Sequence, residues 1–347
     1  MDGWKTFDKC ERMKVELRKA QVHPTNRCNL KCIFCDVPVR YKGCRDLKEM
    51  KWKKIVDDLC DLHPQIVTIS GGGEPLLRPT LVSYMIKKFS AYGIASEIIT
   101  NGVLLSDELA KDVAECVELY RISLHSISLR LDKILRGVQG SITKTLEGTR
   151  KIDRWKKKMK IDKPKIDVAM VITKFNVYEI EKMIKKAKDY GINKVSLRIV
   201  HKWGEEYKPS ELQMEYLKGK LNYFKLLAEK NGIEFSQDFL PEEVFNEKRE
   251  KTQDKKNDVF CTLPFAELVV FADGRVAPCC NFIIDSKDTM GVDLIDEKKS
   301  LKEIWFGEKF NLFRKIMEKN KIEKLPATCR ICSIDLKPID KRYRTFT

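Results

Sequence analysis

Short apolar runs alternate with longer amphipathic stretches through the first two thirds of the chain. Strand-like runs fall at 18–23 (RKAQVH), 66–70 (IVTIS), 95–100 (ASEIIT), 118–124 (ELYRISL), 166–173 (IDVAMVIT) and 194–200 (KVSLRIV). Between them, 49–62, 79–91, 106–116, 141–157 and 176–190 carry apolar residues at helical spacing. Six βα repeats in a row predict a parallel sheet, open or barrel-like, because each parallel strand needs a crossover helix. Strand alternation places Ile122 and Leu124 toward the helices and sends Arg121, Ser123 and His125 inward. It likewise sends Ser196 and Arg198 inward from the sixth strand and Asp167 from the fifth. Polar side chains on a covered face need partners, so a wet lumen that holds ligands is the economical reading.

After 210 the pattern changes. A helical stretch (210–231) leads to GIEF and then to the charge-rich 242–258, which reads as a linker. FCTLPFAELVVFADGRVAPCCNF follows, two strand-like runs joined by Ala-Asp-Gly in the manner of a hairpin. The expected organisation is an extension (1–17), a core (18–235), a linker (236–258) and a small C-terminal α+β unit (259–347).

Composition sharpens this. The chain has 347 residues, 34% charged and 43% hydrophobic, which suits a globular protein with a sizeable core. The first thirty residues lack a signal-like apolar block, and no later window holds eighteen consecutive apolar residues, so a cytoplasmic protein without a membrane partner is expected. The net charge of +16 sits largely in lysine-rich helices such as 151–167 and reads mainly as solvated surface. It leaves room for an anionic substrate. No nucleic-acid-binding motif accompanies it, so no nucleic-acid partner is expected. Twelve cysteines in a reducing compartment point to metal or redox chemistry, not disulfides.

Three of them, Cys28, Cys32 and Cys35, fall within TNRCNLKCIFC. Thiolates so spaced hold zinc or an iron–sulfur cluster. Zinc would want a fourth ligand, and His23, five residues upstream and before a proline, fits finger spacing poorly. Three thiolates on a cubane leave one iron for a small chelating cofactor. CNLKCIFC is similar to the CxxxCxΦC signature of the radical S-adenosylmethionine (radical SAM) superfamily. ISGGGEPLL (69–77) after the second strand resembles that family's GGE motif, and it lacks the Lys-Ser/Thr of a phosphate loop. TNG (100–102) and SLHS (123–126) close the third and fourth strands as they do in this family.

The resemblance covers residues 18 to about 205 and implies a partial (βα)6 TIM-type barrel. It implies a 4Fe-4S cluster on Cys28, Cys32 and Cys35 whose open iron chelates SAM, and a 5′-deoxyadenosyl radical formed by reductive cleavage. It also implies SAM contacts from Phe34, Gly72, Gly73, Glu74, Asn101, Ser123 and Arg198, with the GGE backbone and carboxylate receiving the methionine ammonium. A reductant such as flavodoxin or ferredoxin would supply the electron. His23, His125 and His201 end the first, fourth and sixth strands, which suggests a substrate role for at least one.

Cys261, Cys279, Cys329 and Cys332, with the helical run 300–317 around Trp305, resemble the C-terminal auxiliary-cluster domains called SPASM or, when shortened, twitch. One second 4Fe-4S cluster closed by four thiolates is expected, and a zinc ribbon remains the alternative. Cys279 keeps the GxxxxC spacing from Gly274 and Cys280 does not. Cys60 and Cys116 read as core, Cys44 follows the cluster motif, and Cys10 has no assigned role.

A four-thiol auxiliary cluster suits an electron acceptor. The layout resembles 2-deoxy-scyllo-inosamine dehydrogenase, so the leading expectation is a two-electron oxidation of a small molecule. The alternative is a maturase that crosslinks or epimerises a ribosomally made peptide. Only seventeen residues precede the first strand, so such a maturase would be expected to need a separate leader-binding protein. A non-enzymatic iron–sulfur or zinc scaffold is the third reading. The tail KRYRTFT, without Gly-Gly, speaks against a GTP cyclase.

Overall fold

The computed structural model describes residues 15–40, 43, 45–200, 202–239, 261, 263–280, 293–295, 299–318, 324–326 and 329. Cys10, Cys44, His201 and Cys332, and with them the charged stretch 242–258, lie outside the described residues.

The expected strands form where the apolar runs placed them. They are β1 (Lys19–Val22), β2 (Ile66–Ile69), β3 (Ala95–Thr100), β4 (Leu119–Ser123), β5 (Lys165–Ile172) and β6 (Lys194–Ile199). Four more complete the described sheet: β7 (Glu234–Phe239), β8 (Glu267–Val270), β9 (Arg275–Ala277) and β10 (Asp293–Leu294). Their order is β10-β9-β8-β1-β2-β3-β4-β5-β6-β7. From β8 through β7 every neighbouring pair is parallel, whereas β9 and β10 are antiparallel additions.

The partial barrel of the core is thus lengthened on both edges. On one side β7, a largely polar strand from GIEFSQDF, pairs with β6. On the other, β8 of the C-terminal unit pairs in parallel with β1, Lys19 opposite Glu267.

Helices cover the outer face because their buried residues recur at i, i+3, i+4 and i+7. The helix Glu49–Leu62 buries Trp52, Ile55, Val56, Leu59 and Cys60, and Asp107–Cys116 is capped by Ser106, whose Oγ accepts from Leu109 N–H at 3.1 Å. Two expected helices are broken. The run 176–190 is an α-helix (Ile180–Ala187) between 3-10 turns, and 300–317 divides into Leu301–Trp305 and Glu308–Glu318. Asp58 Oδ2 accepts from Leu301 N–H at 2.7 Å, and Trp305 is fully buried in the main core, so the C-terminal helices are fastened to the core. A second small core gathers Phe265, Val269, Phe271 and Phe313.

Candidate active site

The segment from His23 to Cys35 leaves the top of β1 and is held from three sides. Asp46 accepts from Thr25 Oγ1 and, at 3.0 Å, from Asn26 N–H. The glycine loop donates from Gly73 N to Thr25 O at 3.0 Å and from Glu74 N to Arg27 O at 2.8 Å. A Cβ on Gly73 would collide with the Arg27 carbonyl, so glycine is required here for backbone to pack on backbone. On the third side, Lys31 N–H donates to Arg136 O at 3.0 Å and Ile33 N–H to Leu135 O at 3.1 Å. Those carbonyls end the helix Leu129–Arg136, and Gly137, at φ +71°, leaves room for Lys31.

Glu74 is buried, and its carboxylate accepts three protein donors: Leu76 N–H at 2.9 Å, Thr100 Oγ1–H at 2.5 Å and Asn101 N–H at 2.7 Å. Burial pushes its carboxyl pKa up, against the pull of those hydrogen bonds. Asn101 then turns to the cysteine loop, its Nδ2 donating to Asn29 Oδ1 at 2.8 Å and reaching Cys28 Sγ at 3.9 Å. Leu30 N–H also donates to Cys28 Sγ, at 3.4 Å.

Burial pushes the Cys28 thiol up and the Cys32 thiol up to about 12, the latter with help from nearby Cys35. A dicationic cluster would reverse that preference, since a coordinating thiol is deprotonated by its metal. Among the described residues no three His, Cys, Asp or Glu side chains converge on a single ion. A cubane asks for something else, one thiolate per iron, and three thiols on one loop with N–H···S donors already in place fit that group.

At the top of β4, Ser123 is half-buried, and His125 is buried with its Nδ1 accepting from Val171 N–H at 3.2 Å. Burial, with the Arg136 charge adding to it, lowers the His125 pKa to about 3, so the ring is neutral. Phe34 meets that ring edge-on at 5.0 Å and also packs where a Cβ on Gly204 would lie, 2.9 Å from the Phe34 Cβ.

Below this rim, side chains from five consecutive strands form a polar band. Thr68 donates to Glu97 at 2.9 Å, and Arg121 pairs with Glu97 at 2.7 Å and donates to Asp167 at 2.9 Å. Ser196 donates to Asp167 at 2.8 Å. Of the inward residues expected from alternation, Arg121, Asp167 and Ser196 therefore do face one another. Burial lowers the Arg198 pKa, and nearby Arg121 lowers it further.

Two family models match the chain: the radical SAM superfamily over residues 22–187 and a SPASM iron-sulfur cluster-binding domain over 261–333. The chain belongs to the radical SAM superfamily. This radical SAM enzyme is 26% identical over 329 residues to the tungsten-containing aldehyde ferredoxin oxidoreductase cofactor-modifying protein of Pyrococcus furiosus, covering 89% of this chain and 85% of the relative. It is also 26% identical over 323 residues to the PqqA peptide cyclase of Ruegeria pomeroyi, covering 89% and 77%. Its fold matches Streptococcus suis SuiB bound to S-adenosylmethionine with a TM-score of 0.64 at 16% identity, over 88% of this chain and 67% of SuiB. SAM and iron–sulfur clusters are the cofactors that come with this family and domain.

In the SPASM region of the radical SAM enzyme, Cys261, Cys279 and Cys329 all pack on the small second core. Cys280 is not among the residues packed on that core. It keeps solvent contact, Glu267 and Arg198 are among its charged neighbours, and burial pushes its thiol up to about 11. Sequence reasoning overlooked Arg136, which is fully buried and donates to Asn101 O at 2.8 Å and Thr145 Oγ1 at 3.1 Å. The available signal was LRLDKILRG, about two amphipathic turns with a glycine just past their end.

Proposed function

We propose that this radical SAM enzyme matures a peptide by oxidative modification. The observation that carries the reading is its similarity to a PqqA peptide cyclase along 89% of the chain. This is the alternative named from sequence, and it is better supported than the oxidation of a small molecule.

In this reading Cys28, Cys32 and Cys35 hold the SAM-binding cluster, and Cys261, Cys279, Cys329 and Cys332 hold the auxiliary one. When bound, SAM and the cluster supply a hydrogen-abstracting radical, after one electron from a donor such as flavodoxin or ferredoxin. The backbone of Gly72 and Gly73 receives the methionine ammonium, with Glu74 keeping that loop in register and lending its remaining acceptor capacity. Ser123 and Arg198 contact the carboxylate, Asn101 holds the cysteine loop, and Phe34 borders the cofactor, its ring fixed by His125. The polar band of Glu97, Arg121 and Asp167 forms the lumen floor beneath the substrate.

The similarity to the Pyrococcus furiosus protein favours a second reading, modification of another enzyme's cofactor. The test is anaerobic incubation of the reconstituted enzyme with SAM, reductant and, as candidate substrates, any short peptides encoded in its gene neighbourhood, followed by mass spectrometry. Peptide lighter by two hydrogens, with 5′-deoxyadenosine formed alongside, is expected. Unaltered peptides, with SAM cleavage stimulated instead by a small alcohol or by another enzyme's cofactor, would overturn the reading.

A further inference from the structure

Arg136 and Asp132 form an ion pair that is buried at both ends, 0% and 1% exposed, directly behind the cysteine loop. The side chains are 3.4 Å apart, long for a charge-assisted bond, and each is held by other partners. The arginine donates to Asn101 O at 2.8 Å and to Thr145 Oγ1 at 3.1 Å. The aspartate accepts from Ser141 Oγ and, at 2.9 Å, from Ile142 N–H. The arginine is also the member joined to the loop: its own carbonyl accepts from Lys31 N–H at 3.0 Å, and the residue whose carbonyl it grips, Asn101, reaches Cys28 Sγ at 3.9 Å.

From this arrangement we infer that Arg136 is a positioning residue whose fixed charge raises the reduction potential of the cluster on Cys28, Cys32 and Cys35, with Asp132 as the opposing pole. The inference rests on the assignment of those thiols as cluster ligands. Reduction adds one electron and no proton to the cluster, making it more negative. A nearby buried cation stabilises the more negative form, and with little water between them the interaction is weakly screened. Cluster potentials respond to nearby charge, hydrogen bonds to sulfur and solvent exposure, and the pair, neutral overall, acts through the local field of its cationic pole.

The inference is tested by EPR-monitored redox titration with dithionite of the reconstituted enzyme without SAM, following the cluster whose signal a separate addition of SAM perturbs. Arg136→Met should move its midpoint to more negative potential and Asp132→Asn to more positive potential, while Arg136→Lys stays near wild type. A tenfold change in the reduction equilibrium, about 59 mV for one electron, is the expected scale. A role in folding alone would not shift the two ends of one pair in opposite directions. Midpoints unmoved in Arg136→Met and Asp132→Asn, or moved in the same direction, would overturn it. If Arg136→Met fails to hold a cluster, Asp132→Asn decides, and an unshifted midpoint there is equally fatal. Wild-type protein without any SAM-sensitive cluster would instead overturn the thiol assignment, and the inference with it.

Discussion

The backbone N–H of Asn101 donates to Glu74 Oε2 at 2.7 Å, joining the end of the third strand to the glycine loop after the second, 27 positions apart. Asn101 extends the link to Cys28, so the loop that holds the first thiol is registered against the loop that carries Glu74. Glutamine at 74 keeps the shape but offers one acceptor oxygen to donors that now share two. Glu74→Gln should therefore cost about 1–3 kcal/mol by stranding a buried donor. Urea denaturation of the metal-free protein reads this without SAM present. Unchanged stability would mean that the carboxylate serves the cofactor alone.

Gly137→Ala should lower iron loading. The position sits at φ +71° with the Lys31 carbonyl 2.6 Å from where a Cβ would be, so alanine must push the cysteine loop away from the helix end. Gly93→Ala is a suitable control, because φ is also positive there, at +70°, but no atom lies within 4 Å of the added Cβ. Equal iron content in the two variants would show that the Lys31 contact does not shape the site.

The pH dependence of stability should carry a His125 component. Its folded pKa is lowered to about 3 from an ordinary value of 6.5. Between those values the unfolded chain binds a proton that the folded chain refuses, so stability rises with pH across the window and is lost on acidification below about 6.5. By pH 5 the loss approaches about 2 kcal/mol, from roughly 1.4 kcal/mol per pH unit. His125→Asn, which can still accept from Val171 N–H, should flatten the melting temperature against pH between 7 and 5. An identical slope would mean that the ring titrates normally.

Strands and helices of the core were legible because parallel strands covered by helices need continuous apolar runs, as in IVTIS and IDVAMVIT. The cysteine spacing and the glycine loop were legible because chemistry constrains them locally. The pairing of β8 with β1 was not, since LVV beside KAQV carries no local mark of its partner. β7 escaped because GIEFSQDF, at the sheet's edge, is polar. Arg136 escaped for a different reason: an arginine in a short helix is ordinarily at the surface, and only the carbonyl of Asn101 and the side chains of Thr145 and Asp132, brought together by folding, make its burial tolerable. Glu74 stands out in GGGEP as a candidate acceptor, but its three protein donors could not be read from that stretch.

Anaerobically reconstituted enzyme should hold about eight irons as two 4Fe-4S clusters. Alanine at Cys28, Cys32 and Cys35 together should remove about half of them. Zinc in place of four irons in that variant would reassign the C-terminal site.

The most direct test is EPR of the dithionite-reduced enzyme with and without SAM, on wild type and on the Cys28→Ala, Cys32→Ala, Cys35→Ala variant. Wild type should show a reduced-cluster signal that changes when SAM is added, because one iron is open to it, and the variant should show only a signal indifferent to SAM. A wild-type spectrum that SAM leaves unaltered, or a SAM-sensitive signal that survives loss of the three thiols, would contradict the account.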